Sequence, residues 1–141
     1  MTYGRRSTDR GGPYRSNDVL TRTPGALVVM LYHRLLVELR RADHQISAGD
    51  FEGKAASLER ASDIVFELLG SLNHEAGGEL AGRLSALYTY FIREIQEVNR
   101  SLDRARLAHL VEVIGPLHAS WSQAAAATVT GAVPTPDAET R

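Results

Sequence analysis

The segment Thr23-Pro24-Gly25-Ala26-Leu27-Val28-Val29-Met30-Leu31-Tyr32 sets the tightest limit on how this chain folds. Thr23 is a good N-cap, and Pro24 suits the first helical position, where its missing N–H would have no partner in any case. Seven consecutive apolar residues then follow, Ala26 to Tyr32. A surface helix normally shows one apolar stripe and one polar face. For two turns this one has almost no polar face, so more than one of its sides must be covered. The run is far short of the roughly 20 residues that span a membrane, and His33-Arg34 end it at once.

Helical periodicity recurs four times. The first pattern runs from Pro24 to about Ser47 and stops at Ala48-Gly49-Asp50. The second takes Asp50 as N-cap and carries Phe51, Ala55, Leu58, Ala61, Val65, Leu68 and Leu72. The third follows Gly77-Gly78 with Leu80, Leu84, Leu87, Phe91, Ile95 and Val98. The fourth follows Ser101 or Asp103 with Leu107, Leu110, Ile114, Leu117, Trp121 and Ala124. Pro116 interrupts it and should bend it without ending it, because the apolar register continues beyond. No run alternates with period two over a useful length. Four long helices with short connections give an all-α, antiparallel up-down four-helix bundle over residues 23–125. Residues 1–13 read as a disordered tail, 14–22 as a short docked segment and 126–141 as a flexible tail ending in Pro134 and Pro136.

The bundle seam does not use up the apolar residues. Leu27, Leu31, Leu35, Leu39, Ala42 and Ile46 suffice for the first helix, while Val28, Met30, Leu36 and Val37 lie largely off that stripe. The third helix repeats the excess with Leu87, Tyr88, Tyr90, Phe91 and Ile92. A patch of this size exceeds what monomers usually expose. Its cover is the chain's own segment Tyr14 to Leu20, a second copy, or a different polypeptide laid as a helix in a groove.

Other functions find little support. Net charge is −1, so there is no bulk basic signal for nucleic acid, although the first 22 residues hold five arginines against Asp9 and Asp18. There are no cysteines, hence no disulfide, thiolate zinc site or cysteine nucleophile. The N-terminus lacks the apolar core of a secretory signal, and the expected location is the cytosol. His33, His44, His74, His109 and His118 fall in no metal-ligand motif, and Gly77-Gly78 lacks the Lys-Ser/Thr of a phosphate loop. The reading is a binding protein without cofactor or metal, not an enzyme.

The ordered set Tyr14-x-x-Asn17-x-Val19, Thr23-Pro24, Leu27, Met30-Leu31-Tyr32, Ser71-Leu72, Gly77-Gly78-Glu79, Leu84, Leu87-Tyr88, Tyr90, Asn99, Asp103, Glu112-Val113, Leu117 and Trp121 resembles the FliS family, flagellin-specific export chaperones of bacterial flagella. Where that family usually reads Met-Leu-Tyr followed by Asp or Asn and then Gly, this chain has His33-Arg34. The resemblance implies a bundle that holds the unstructured C-terminal segment of flagellin in apolar grooves. It also implies that the N-terminal segment, with Tyr14, Asn17, Val19 and Leu20, folds over one groove. The expected groove is walled by Leu27, Met30, Leu31 and Arg34 of the first helix and Leu84, Leu87, Tyr88 and Phe91 of the third. Further expected partners are the flagellar export gate and other flagellar regulators, with the chain itself a monomer or weak homodimer. The competing reading is a homodimeric helical module that binds no flagellin.

Overall fold

Residues 24–130 are described by the computed structural model. The expected tail 1–13, the segment 14–22 with Tyr14, Asn17, Val19 and Leu20, and residues 131–141 lie outside the described residues. Four helices follow in order: α1 (Pro24–Ala48), α2 (Phe51–Gly70), α3 (His74–Ser101) and α4 (Arg104–Thr130). No strand occurs among the described residues.

Local chemistry sets the helix ends. Gly49 takes a left-handed φ of 77° after α1, which glycine adopts without steric cost. The Asp50 carboxylate accepts the Gly53 N–H at 3.0 Å and caps α2. Asp103 does the same for Arg106 at the start of α4, also at 3.0 Å. Two boundaries differ from the periodicity. Asn73 accepts the Ala76 N–H at 3.0 Å and starts α3 before the glycine pair, at His74. Gly78 then breaks the helical geometry from within, at φ 53° and ψ −124°, a conformation closed to residues with a Cβ. At the other end α4 continues through Pro116 to Thr130, beyond the expected limit at 125.

The chain divides into two compact units. The smaller takes residues 24–29 of α1 and 120–130 of α4, where Gly25 lies against Ala125; a Cβ added at Gly25 would sit 3.7 Å from the Ala125 Cβ. The larger, Met30–Ala119, holds α2, α3 and most of α1 and α4. Its topology can be read from side-chain pairs. Gln45 and Ser57 share a hydrogen bond at 2.8 Å and Arg60 meets Glu38 at 3.2 Å, so α1 and α2 run antiparallel. The buried Lys54 ammonium donates to the Asn99 carbonyl at 3.0 Å and its side-chain oxygen at 2.7 Å, joining the start of α2 to the end of α3. Arg106 meets Glu94 at 2.9 Å between α3 and α4, and Arg104 meets Asp43 at 2.9 Å between α4 and α1. These four junctions close a square, the up-down four-helix bundle that the periodicity implies.

Within the square lie Leu31, Tyr32, Leu35, Leu36 and Leu39 of α1, Leu58, Ile64, Val65 and Leu68 of α2, Tyr88, Phe91, Ile92, Ile95 and Val98 of α3, and Leu107, Leu110 and Ile114 of α4. Each fully buried side chain of this size contributes about 1.5–3 kcal/mol through removal from water. In the larger unit Leu31, Tyr32, Leu35 and Leu36 form one broad buried arc of α1 and Met30 turns outward, while Ala26 to Val29, in the smaller unit, are half-buried. Between the diagonal helices α1 and α3, the Tyr32 and Tyr88 hydroxyls hydrogen-bond at 3.0 Å with the rings edge to face.

Burial, and then the bond to Tyr32, pushes the Tyr88 phenol well above its ordinary value near 10. The folded state therefore keeps this proton at a pH where the unfolded chain gives it up. Tyr88 should contribute full stability below pH 10 and lose it progressively as the pH rises above that. In urea titrations from pH 8 to 11, Tyr88→Phe should show a shallower alkaline loss than the unmodified chain; equal slopes would refute this assignment. A second pair tests the arc of α1. Leu31→Ala should lower the unfolding free energy by about 2–5 kcal/mol, and Met30→Ala should change it by less than about 0.5 kcal/mol.

Candidate partner-binding surface

The expected groove residues separate into three groups. Leu31, Tyr88 and Phe91 have exposures of 2%, 1% and 0%, and they belong to the core. These three are closed to solvent in the structure, unlike the rest of the expected groove between the first and third helices. In an up-down bundle those helices are diagonal, so residues facing each other across them meet inside the molecule. Met30 and Arg34 are exposed on α1. Leu27, in the smaller unit, and Leu84 and Leu87, in the larger, are half-buried.

Leu84 and Leu87 do share a surface, and it borders α4 instead of α1. Leu80, Leu84 and Leu87 recur at i, i+4 and i+7, the spacing of one helix flank. Glu94 continues that flank and meets Arg106 of α4. Seven residues back from Glu94 is Leu87, and seven beyond Arg106 is Val113, so the antiparallel register sets these two level. Leu84 and Leu117 follow near the same level one turn further along. Val113 and Leu117 are half-buried, and Leu80 is 59% exposed. The result is an apolar strip between α3 and α4, with the Glu94–Arg106 pair at one end and the Gly78 break near the other. The break redirects the chain just before the strip begins and leaves Leu80 in solvent.

Electrostatics place charge around this strip. Arg83 and Glu79 pair at 3.0 Å on the outer side of α3. Glu97 takes hydrogen bonds from Arg100, which hold its carboxyl below the ordinary value, and Arg106 lies 3.5 Å from the same carboxylate. Such exposed pairs add little stability, but they bound an apolar surface with charge of both signs.

A second feature lies between α2 and α3, an open groove of about 270 Å³ lined by Ala55, Leu58, Glu59, Ser62, Ile95, Gln96 and Asn99. Small side chains on α2 make it shallow, and Phe66 stands 55% exposed further along the same helix flank. A third groove, about 320 Å³, runs between α1 and α4 with Arg40, Leu107, Ala108, Val111 and Glu112 in its walls. Periodicity puts Leu80 and Leu117 on the interior seam, and Val113 enters only through the family motif Glu112-Val113. Their partial exposure follows from the neighbouring helix, which no single helix pattern specifies.

Among the described residues no group of three His, Asp or Glu side chains could hold a metal ion, and no helix is long and apolar enough to cross a membrane. The arrangement presents apolar strips and shallow grooves on a closed bundle, suited to receiving another polypeptide.

Comparison with known proteins agrees with that character. The chain matches the family described as flagellar protein FliS over residues 8–128. It is 34% identical over 111 residues to the flagellar secretion chaperone FliS of Bacillus subtilis, covering 79% of this chain and 82% of that protein. The flagellar secretion chaperone FliS of Campylobacter jejuni is 31% identical over 110 residues, with 78% and 86% covered. That of Salmonella typhimurium is 30% identical over 106 residues, with 74% and 78% covered. With the family matched across nearly the whole bundle, this chain belongs to the FliS family of flagellar secretion chaperones.

Proposed function

We propose that this chain is a cytosolic export chaperone that holds the unstructured C-terminal segment of flagellin. In this reading the chaperone prevents premature polymerisation and keeps flagellin competent for export through the flagellar type III apparatus. One observation carries the reading: the core is filled by a single copy, yet Leu80, Leu84, Leu87, Val113 and Leu117 remain partly or wholly in solvent as one strip. Apolar surface that the fold does not require is available to a partner.

The energetics suit an unfolded client. Folding of a disordered segment on binding buries roughly 1,000–3,000 Å² and costs about 2–5 kcal/mol in ordering. At about 25 cal/mol per Å² of apolar burial, the gain exceeds that cost by enough for tight binding. The client's apolar side chains, covered by the chaperone, are then withheld from the helix–helix contacts of filament assembly. Release needs no nucleotide; competition at the export gate suffices. By the family resemblance the segment 14–22 acts as an internal competitor for one groove, lowering apparent affinity by the fraction of molecules left open.

Calorimetry with a flagellin C-terminal peptide tests the reading. The unmodified chain should bind one to one, and Leu84→Ser with Leu87→Ser should weaken binding at least about tenfold, or 1.4 kcal/mol, while the circular dichroism spectrum stays helical. Deleting residues 1–20 should tighten binding or cause self-association. A chain that stays dimeric in light scattering and ignores the peptide is the homodimeric module instead.

A further inference from the structure

Two histidines far apart in the sequence meet on the surface of the larger unit. His33 is exposed on α1 and His118 half-buried on α4, with ring centroids 6.0 Å apart and ring planes inclined by 40°. Each ring stands on a long helix, His33 on α1 and His118 on α4. Among the described residues neither imidazole takes a hydrogen bond or ion pair. Among the described residues the nitrogens of both rings are therefore uncommitted.

We propose that His33 and His118 bind one divalent transition-metal ion and so bridge α1 and α4. Neutral imidazole is the preferred side-chain ligand for nickel, copper and zinc ions. With metal–nitrogen bonds of about 2.0–2.1 Å, two imidazoles on one tetrahedral ion have ring centres about 5 Å apart. The observed 6.0 Å is about 1 Å longer, so binding requires the exposed His33 side chain to turn toward His118. No third protein ligand joins the pair among the described residues, so water completes the coordination shell. A two-ligand site of this kind exchanges its ion readily. It discriminates against magnesium and calcium, which require oxygen ligands. The sequence carries no sign of the site, because ligand motifs depend on short spacing and these two residues meet only through the bundle.

The consequence is mechanical. An ion held by both helices binds the folded chain in preference to the unfolded one, and so raises its thermal stability by mass action.

The test uses the untagged full chain with nickel chloride. The expected result is a saturable one-to-one isotherm at pH 7.5 and a melting temperature that rises with nickel, reversed by EDTA and absent with magnesium. Both effects should disappear in His33→Asn and in His118→Gln. His33 is exposed, so its variant remains folded even if the half-buried His118 proves sensitive. Electron paramagnetic resonance with copper(II) should show coupling to two imidazole nitrogens in the unmodified chain and at most one in either variant. Nickel binding retained in His33→Asn, or none in the unmodified chain at millimolar nickel, would overturn the proposal.

Discussion

The closed apolar interior of the larger unit is the constraint on which everything else depends. Tyr32 and Tyr88 cross it from opposite corners, and their hydroxyls join deep within it. An unpaired hydroxyl at that depth would cost about 1–3 kcal/mol, so the bond favours one relative placement of α1 and α3. Around it, Leu35, Leu39, Phe91, Ile95, Leu110 and Ile114 are sealed from solvent. The polar junctions at the four helix pairs then set which helix stands beside which.

A filled interior changes the meaning of the apolar residues outside it. Were the core incomplete, exposed leucines would be displaced core. With the core complete, the strip on α3 and α4 is surplus to folding, as a chaperone's client surface must be. Such a surface has to remain wet without collapsing the fold or joining copies indiscriminately. Half-burial of Leu84, Leu87, Val113 and Leu117 limits the exposed area, and the flanking ion pairs interrupt it. In the proposed reading, the same division separates mutations that unfold the chain from those that only release a partner.

Much of the fold is legible in the residues themselves. The helix count, the caps at Asp50 and Asp103, and the continuation of α4 past Pro116 follow from periodicity and local hydrogen bonding. The start of α3 is less legible: Gly77-Gly78 reads as a boundary, whereas Asn73 caps an earlier turn and Gly78 supplies a break inside the helix. The surface is the least legible part. One helix pattern reports an apolar arc, and an error of about 100° in its rotation exchanges core for exterior. That is why Leu31, Tyr88 and Phe91 read as groove walls and prove to be interior, while Leu84 and Leu87 face the α4 side. The neighbour of each flank is decided by pairs such as Glu94–Arg106, whose partners no periodicity connects.

Amide hydrogen exchange, followed by mass spectrometry with and without a flagellin C-terminal segment, tests the central claim most directly. The account predicts slowed exchange in peptides from residues 79–90 and 109–118, at the strip, with little change across the α1–α2 junction near Gln45 and Ser57. Protection spread evenly over the bundle, or none at the strip under saturating peptide, would contradict it.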